Sequence, residues 1–283
     1  MNLLKLHRYL RLTPFDVSTE QGRSDERYRL AVLSMAANVL SRSVALVVMV
    51  LTVSLTIPYL GAERFGVWVT IASFVGMLSF LDMGVGNALT NHVAGRSAQR
   101  DPALLRQAIS GGLGFLLVIG VAVGAGLYFL ATWLPWARLI KVDEALLLVE
   151  AQNAAKLFAV LFAFNLFTTG IQSVFAGLQR TFDVYLASAL GSFVSLGALL
   201  IAAQAQAGMP ALLAVTLGIQ SLSTLLLLGL LLRRDLFSLG EIKVAVKQET
   251  PGLLRIGGLF FVLQVGTRIA RQRSELESFL KFG

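Results

Sequence analysis

Three stretches of this chain contain no Asp, Glu, Lys or Arg. They lie between Arg106 and Arg138, between Lys156 and Arg180, and between Asp183 and Arg233. A helix needs roughly 20 apolar residues to cross a hydrocarbon core about 30 Å thick, so each stretch can hold at least one membrane span. Strands that cross a bilayer instead show segments of about ten residues in which polarity alternates, and no such alternation occurs here. Only 14% of residues are charged, against roughly 25% in soluble domains. The expected fold is an all-α, polytopic integral membrane helical bundle whose backbone polar groups are satisfied within each helix.

Six spans follow from the pattern, at about Ser43–Leu60, Phe65–Ala88, Ile109–Trp133, Leu157–Leu178, Val184–Ala203 and Ala211–Leu232. The last two share one uncharged run, which divides at the polar, Gly- and Pro-containing turn 204–210. The first two are joined by the short turn Gly61-Ala62-Glu63-Arg64. Trp133 and Trp136 anchor the outer end of the third span, and 137–156, which mixes charges with leucines, reads as a solvent-side or interfacial helix. A seventh apolar helix opens at Pro251 and extends to Thr267. Only the residues between Arg255 and Arg268 lack charge, too few to cross, so this span is incomplete.

With the N-terminus cytoplasmic, 16 basic residues fall in inner segments and 4 in outer ones, the asymmetry expected of the positive-inside rule. The net charge of +8 is thereby accounted for without a nucleic-acid partner. The expected organisation is a cytoplasmic or interfacial segment over 1–30, a six-helix lobe over 31–235, and a cytoplasmic loop with a truncated helix over 236–283. The chain has no cysteine, and its two histidines, His7 and His92, lie far apart, so no metal site is expected. There is no phosphate-binding glycine loop and no nucleophile–base set, so neither a cofactor nor an enzymatic activity is expected.

Polar residues inside spans are the candidates for function, because burying them is costly. The second span carries Asp82, Asn87 and Asn91. The two asparagines share a helix face, while Asp82 lies off that face and near the inner end. These residues can bind substrate or fix packing through interhelical hydrogen bonds. Arg42 opens the first span from the inside, with Asn38 one turn earlier. It can snorkel to headgroups or face a cavity that draws anions. Gln172 in the fourth span suits a sugar or a neighbouring helix. Gly120-x-x-x-Gly124 and Ser188-x-x-x-Ser192 read as sites of close helix approach.

The segment Leu60-Gly-Ala-Glu-Arg-Phe-Gly-Val-Trp68, followed by Phe80-Leu-Asp-Met-Gly-Val-Gly-Asn-Ala-Leu-Thr-Asn91, resembles the polysaccharide-export, or O-antigen, flippases. These belong to the multidrug/oligosaccharidyl-lipid/polysaccharide exporter superfamily. The looser likeness runs from about Ala31 to Gln264, covering the first lobe of a family built from two six-helix lobes. The resemblance implies a bacterial inner-membrane protein that moves lipid-pyrophosphate-linked oligosaccharide to the outer leaflet. It also implies a central, often cationic cavity and alternating access by rocking lobes. In this family the residues after Pro251 would begin a second lobe, so a single lobe would need a homodimer partner to work. Two other readings stand beside this one. One is a cation-coupled small-molecule exporter of the same superfamily, and the other an inactive remnant or assembly partner of polysaccharide synthesis proteins.

Overall fold

The computed structural model describes residues 9–11, 13–16, 18–78, 83–136 and 145–259. Among them the regular structure is entirely helical. A helical run over Glu20–Leu78 turns at Gly61 into α1, Glu20–Gly61, and α2, 62–78. There follow α3 (Met83–Ala98), α4 (Pro102–Trp133), α5 (Ala145–Gly177), α6 (Thr181–Gln204), α7 (Met209–Arg233) and α8 (242–259). Five of these helices are long and apolar enough to cross a membrane: α1, α4, α5 from Leu146 onward, α6 and α7. The second expected span falls on α2 and α3, and residues 79–82 between them are outside the described set.

The α1–α2 turn depends on one residue. Gly61 sits at φ 72°, ψ 170°, a combination essentially reserved for glycine. A Cβ there would meet no atom within 4 Å, so the penalty for substitution comes from the backbone alone. Gly61→Ala should therefore cost about 1–3 kcal/mol of lobe stability. Thermal unfolding in detergent will show this as a lowered Tm, whereas an unchanged Tm would mean that the turn relaxes without loss.

Several helices outrun their expected spans. α1 begins at Glu20 rather than Ser43, and its charged first turns are held by Arg29, which donates to both carboxylate oxygens of Glu26, Nε at 2.8 Å and Nη2 at 2.5 Å. α4 starts at Pro102, where Asp101 accepts from the amides of Ala103 (2.9 Å) and Leu104 (3.3 Å) and proline occupies the first turn. The separate interfacial helix expected over 137–156 is corrected within the described residues: from Ala145 it is the N-terminal end of α5 and continuous with the fourth span. Its charges are tolerated because each finds a partner. Glu150 accepts from the Met209 amide at 2.7 Å, and Lys156 stands over the Tyr128 ring at 5.9 Å.

α5 runs through the middle of the lobe, packed against α3, α4 and α7. The Gly120-x-x-x-Gly124 stripe of α4 lets it approach α5 closely. A Cβ on Gly120 would lie 2.8 Å from the Ala163 carbonyl oxygen, and one on Gly124 would lie 2.6 Å from the Ala163 Cβ. The largest core cluster joins Leu89 and Val93 of α3, Leu113 and Leu116 of α4, and Ile171 and Phe175 of α5. By contrast α1 exposes Met35, Val39, Leu46, Val47 and Val50, an apolar surface suited to lipid.

The apolar helix expected to open at Pro251 also needs correction. α8 begins at 242, and Pro251 lies within it. The reason is tertiary: Ile242, Ala245, Val246, Glu249, Leu253 and Gly257 recur at helical spacing and turn toward α3 and α4. The part of the expected seventh span beyond residue 259 is outside the described residues.

Candidate functional site

A cleft of about 630 Å³ opens between α1, α2, α6 and α7. Helices form these walls because the sequence places small and hydroxyl-bearing residues on the facing stripes: Ala45 and Thr52 on α1, and Ser188, Ser192 and Ser195 on α6. Val48, Met49, Val53, Leu213 and Leu217 make the apolar part of the wall. Phe65 and Trp68 of α2 add an aromatic surface, their rings stacked with centroids 5.8 Å apart.

The polar side is a connected hydroxyl–amide network centred on Gln220 of α7. Its Nε2 donates to Ser188 Oγ at 2.8 Å, and its Oε1 accepts from Ser192 Oγ at 3.4 Å. Ser195 Oγ donates to the Val215 carbonyl at 3.1 Å. That carbonyl belongs to the single wide turn Ala214–Gly218 inside α7, the type of helix irregularity that recurs at functional sites because it re-aims backbone groups. Gly191 permits this approach of α6 to α7, since a Cβ there would strike Ser223 and lie 3.2 Å from Gln220 Oε1. The Trp68 indole N–H is buried and has no acceptor among the described residues. No lining residue carries a formal charge. The wall can therefore accept and donate hydrogen bonds to neutral polar groups while presenting an apolar and aromatic surface beside them.

At the end that carries the α1–α2 and α6–α7 turns, the cleft helices are tied together. Tyr59 Oη donates to the Ala207 carbonyl, and Arg64 Nε lies 3.4 Å from Glu150 Oε2. These contacts join the α1–α2 turn to α5 and to the α6–α7 turn. At the opposite end of the lobe a second polar cluster forms around Glu249 of α8. Among the described residues it is the buried carboxylate, with His92 Nε2 at 2.7 Å, Gln107 Nε2 at 3.0 Å and Arg96 Nη2 at 3.7 Å.

The residues singled out from the sequence occupy different places. Arg42 is exposed on α1, its Nε donating to Asn38 Oδ1 at 2.9 Å. It precedes Ala45, Met49 and Thr52 at helical spacing and so lies on the cleft side of α1, one turn toward the inner end. Asn87 and Asn91 share an exposed face of α3, a helix that packs on α4 and α5. Gln172 on α5 donates to Thr224 Oγ1 of α7 at 3.3 Å, and Thr224 in turn donates to the Gln220 carbonyl at 3.4 Å, which places Gln172 behind the cleft wall. Asp82 lies outside the described residues. None of the other four is among the cleft's lining residues. Sequence reasoning passed over Gln220, Ser195 and Thr216. The Ser188/Ser192 stripe was the available signal, but its spacing is the same whether it packs helices or faces a cavity.

No protein-family model and no curated protein matches the chain. Among solved structures, a MOP superfamily transporter from Pyrococcus furiosus shares its fold, with a TM-score of 0.66 at 18% sequence identity over 87% of this chain. The match covers 54% of that protein, so the chain spans about half the length of the structure it resembles. The shared fold is that of a polytopic membrane bundle.

Proposed function

We propose that the chain forms one lobe of a membrane transporter whose cleft takes a lipid-linked oligosaccharide during its passage between leaflets. The observation that carries this reading is the lining of the cleft: Ser188, Ser192, Thr216 and Gln220 on one side, the Phe65–Trp68 stack on the other, and no charged side chain between them. Sugar rings present many neutral hydroxyls and apolar faces together. Hydroxyl and amide side chains meet the first, and aromatic rings cover the second. No carboxylate lines the described cleft to pair with a cationic substrate, so a cation would be held there by the aromatic stack alone. Arg42, one turn nearer the inner end on the same side of α1, supplies a cation where a pyrophosphate linkage would enter. The sequence resemblance to the O-antigen flippases favours the same class, and the fold shared with a MOP superfamily transporter supports a transporter in general. Alternating access then needs a second lobe opposite the cleft.

Photolabelling in membrane vesicles tests the site. A polyprenyl-pyrophosphate oligosaccharide carrying a photoreactive group on its sugars should label α2, α6 and α7, with label lost on adding the unmodified lipid-linked sugar. Label confined to other helices, or displaced only by a lipophilic cation, would overturn the assignment.

A further inference from the structure

The face of α8 turned away from the lobe has no protein partner among the described residues, and its chemistry is specific. One side of the helix is fixed by the seat described above. Gly111 and Gly114 of α4 form its floor: a Cβ on Gly111 would lie 2.8 Å from the Ala245 carbonyl oxygen, and one on Gly114 would lie 2.5 Å from Val246 Cγ2. Ser110 Oγ accepts from the Ser238 amide at 3.0 Å, just ahead of the helix, and Glu249 completes the clamp. With that side buried, helical geometry sends Lys243, Val244, Lys247, Leu254 and Arg255 outward together, and all five are exposed.

The three cations on this face are uncompensated among the described residues. Asp235 and Glu241, just ahead of the helix, are both taken by Arg106, at 2.9 Å and 3.0 Å, and Glu249 is turned into the lobe. Lys243, Lys247 and Arg255 have no ion-pair or hydrogen-bond partner among the described residues. Val244 and Leu254 lie between these cations and stay exposed, together with Leu239 before the helix. A helix that alternates free lysines with exposed aliphatic residues, held at the inner end of a membrane bundle, matches the interface between headgroups and acyl chains. A basic surface without the aliphatic residues would suit a soluble polyanion equally well, and the aliphatic residues select the bilayer.

We infer that the outward face of α8 is a binding site for anionic phospholipid headgroups of the cytoplasmic leaflet, with Lys243, Lys247 and Arg255 holding the phosphates and Val244 and Leu254 entering the acyl region. The site is separate from the cleft and does not depend on what the cleft carries.

The full chain, extracted from bilayers of mixed phosphatidylglycerol and phosphatidylcholine, should retain phosphatidylglycerol preferentially when bound lipids are counted by native mass spectrometry. Juxtamembrane cations near an anionic surface each contribute enough that removing two should lower this preference on the order of tenfold. Lys243→Gln/Lys247→Gln is therefore expected to lose it, while Lys243→Arg/Lys247→Arg keeps it. The charge-matched pair Arg27→Gln/Arg100→Gln, at exposed positions elsewhere on the inner side, is expected to keep it as well. Hydrogen exchange over 242–259 should match the parent in every variant, showing that the seat is intact. Equal loss in both glutamine pairs would reduce the effect to net charge and overturn the site, as would a parent that shows no preference.

Discussion

Gln220→Leu is expected to weaken binding of a lipid-linked oligosaccharide by about tenfold or more while leaving the lobe folded. The substitution keeps volume and removes the one side chain that bonds both Ser188 and Ser192 across the α6–α7 contact. Two consequences follow. The site loses an amide that can serve the substrate, and Ser188 Oγ loses the donor it now accepts from. A hydrogen bond of this kind contributes about 0.5–1.5 kcal/mol net, and leaving a polar group unpaired adds a similar penalty, so one to two orders of magnitude in Kd is the expected scale. The readout is built into the cleft. Trp68 lines it and the other tryptophans, Trp133 and Trp136, do not, so Trp133→Phe/Trp136→Phe chains report cleft occupancy by intrinsic fluorescence. Unchanged affinity in Gln220→Leu, with an unchanged melting profile, would remove the hydroxyl–amide network from the binding site.

Glu249→Ala should release α8 from the lobe. It deletes a buried carboxylate and leaves His92, Gln107 and Arg96 facing an empty position. Removing one partner of a buried charged pair costs about 3 kcal/mol or more, which corresponds to roughly 100-fold in the population of the undocked helix. Lys243 and Lys247 are natural trypsin sites on that helix, so limited proteolysis in detergent measures the change directly. Cleavage at these two lysines should accelerate strongly in Glu249→Ala and less in Glu249→Gln, which retains an acceptor for Gln107. Cleavage at the parental rate would show that the apolar seat on Gly111 and Gly114 holds α8 unaided.

How legible these features were in the sequence varies with the range of the interaction that creates them. Five of the six expected membrane helices were readable because the bilayer imposes its rule locally: a charge-free run of sufficient length needs no tertiary partner to be recognised. The division at 204–210 and the turn at Gly61 were readable for the same reason, since glycine and proline act on their own backbone. The continuity of α5 was hidden, because Glu150 and Lys156 look like the end of a membrane segment until Met209, Arg64 and Tyr128 are seen to satisfy them. The cleft was hidden more deeply. Ser188 and Ser192 read as a packing stripe, and only the pairing of α6 with α7 brings Gln220 to them from 32 and 28 positions away in sequence. Glu249 and His92 are separated by 157 positions, and neither residue's neighbours announce the other. Arg42, chosen for its charge, lies near the cleft but not in its wall, and the wall itself is neutral.

Transfer of lipid-linked oligosaccharide between leaflets of proteoliposomes tests the central claim most directly. The sugar is supplied in both leaflets, and the fraction open to an added glycan-cleaving enzyme is followed over time. The chain should raise the transfer rate above that of empty liposomes, and Gln220→Leu should return it most of the way to that baseline. Binding at the cleft with no transfer above the baseline, or efflux of a lipophilic cation in place of the sugar, would contradict a lipid-linked glycan transporter.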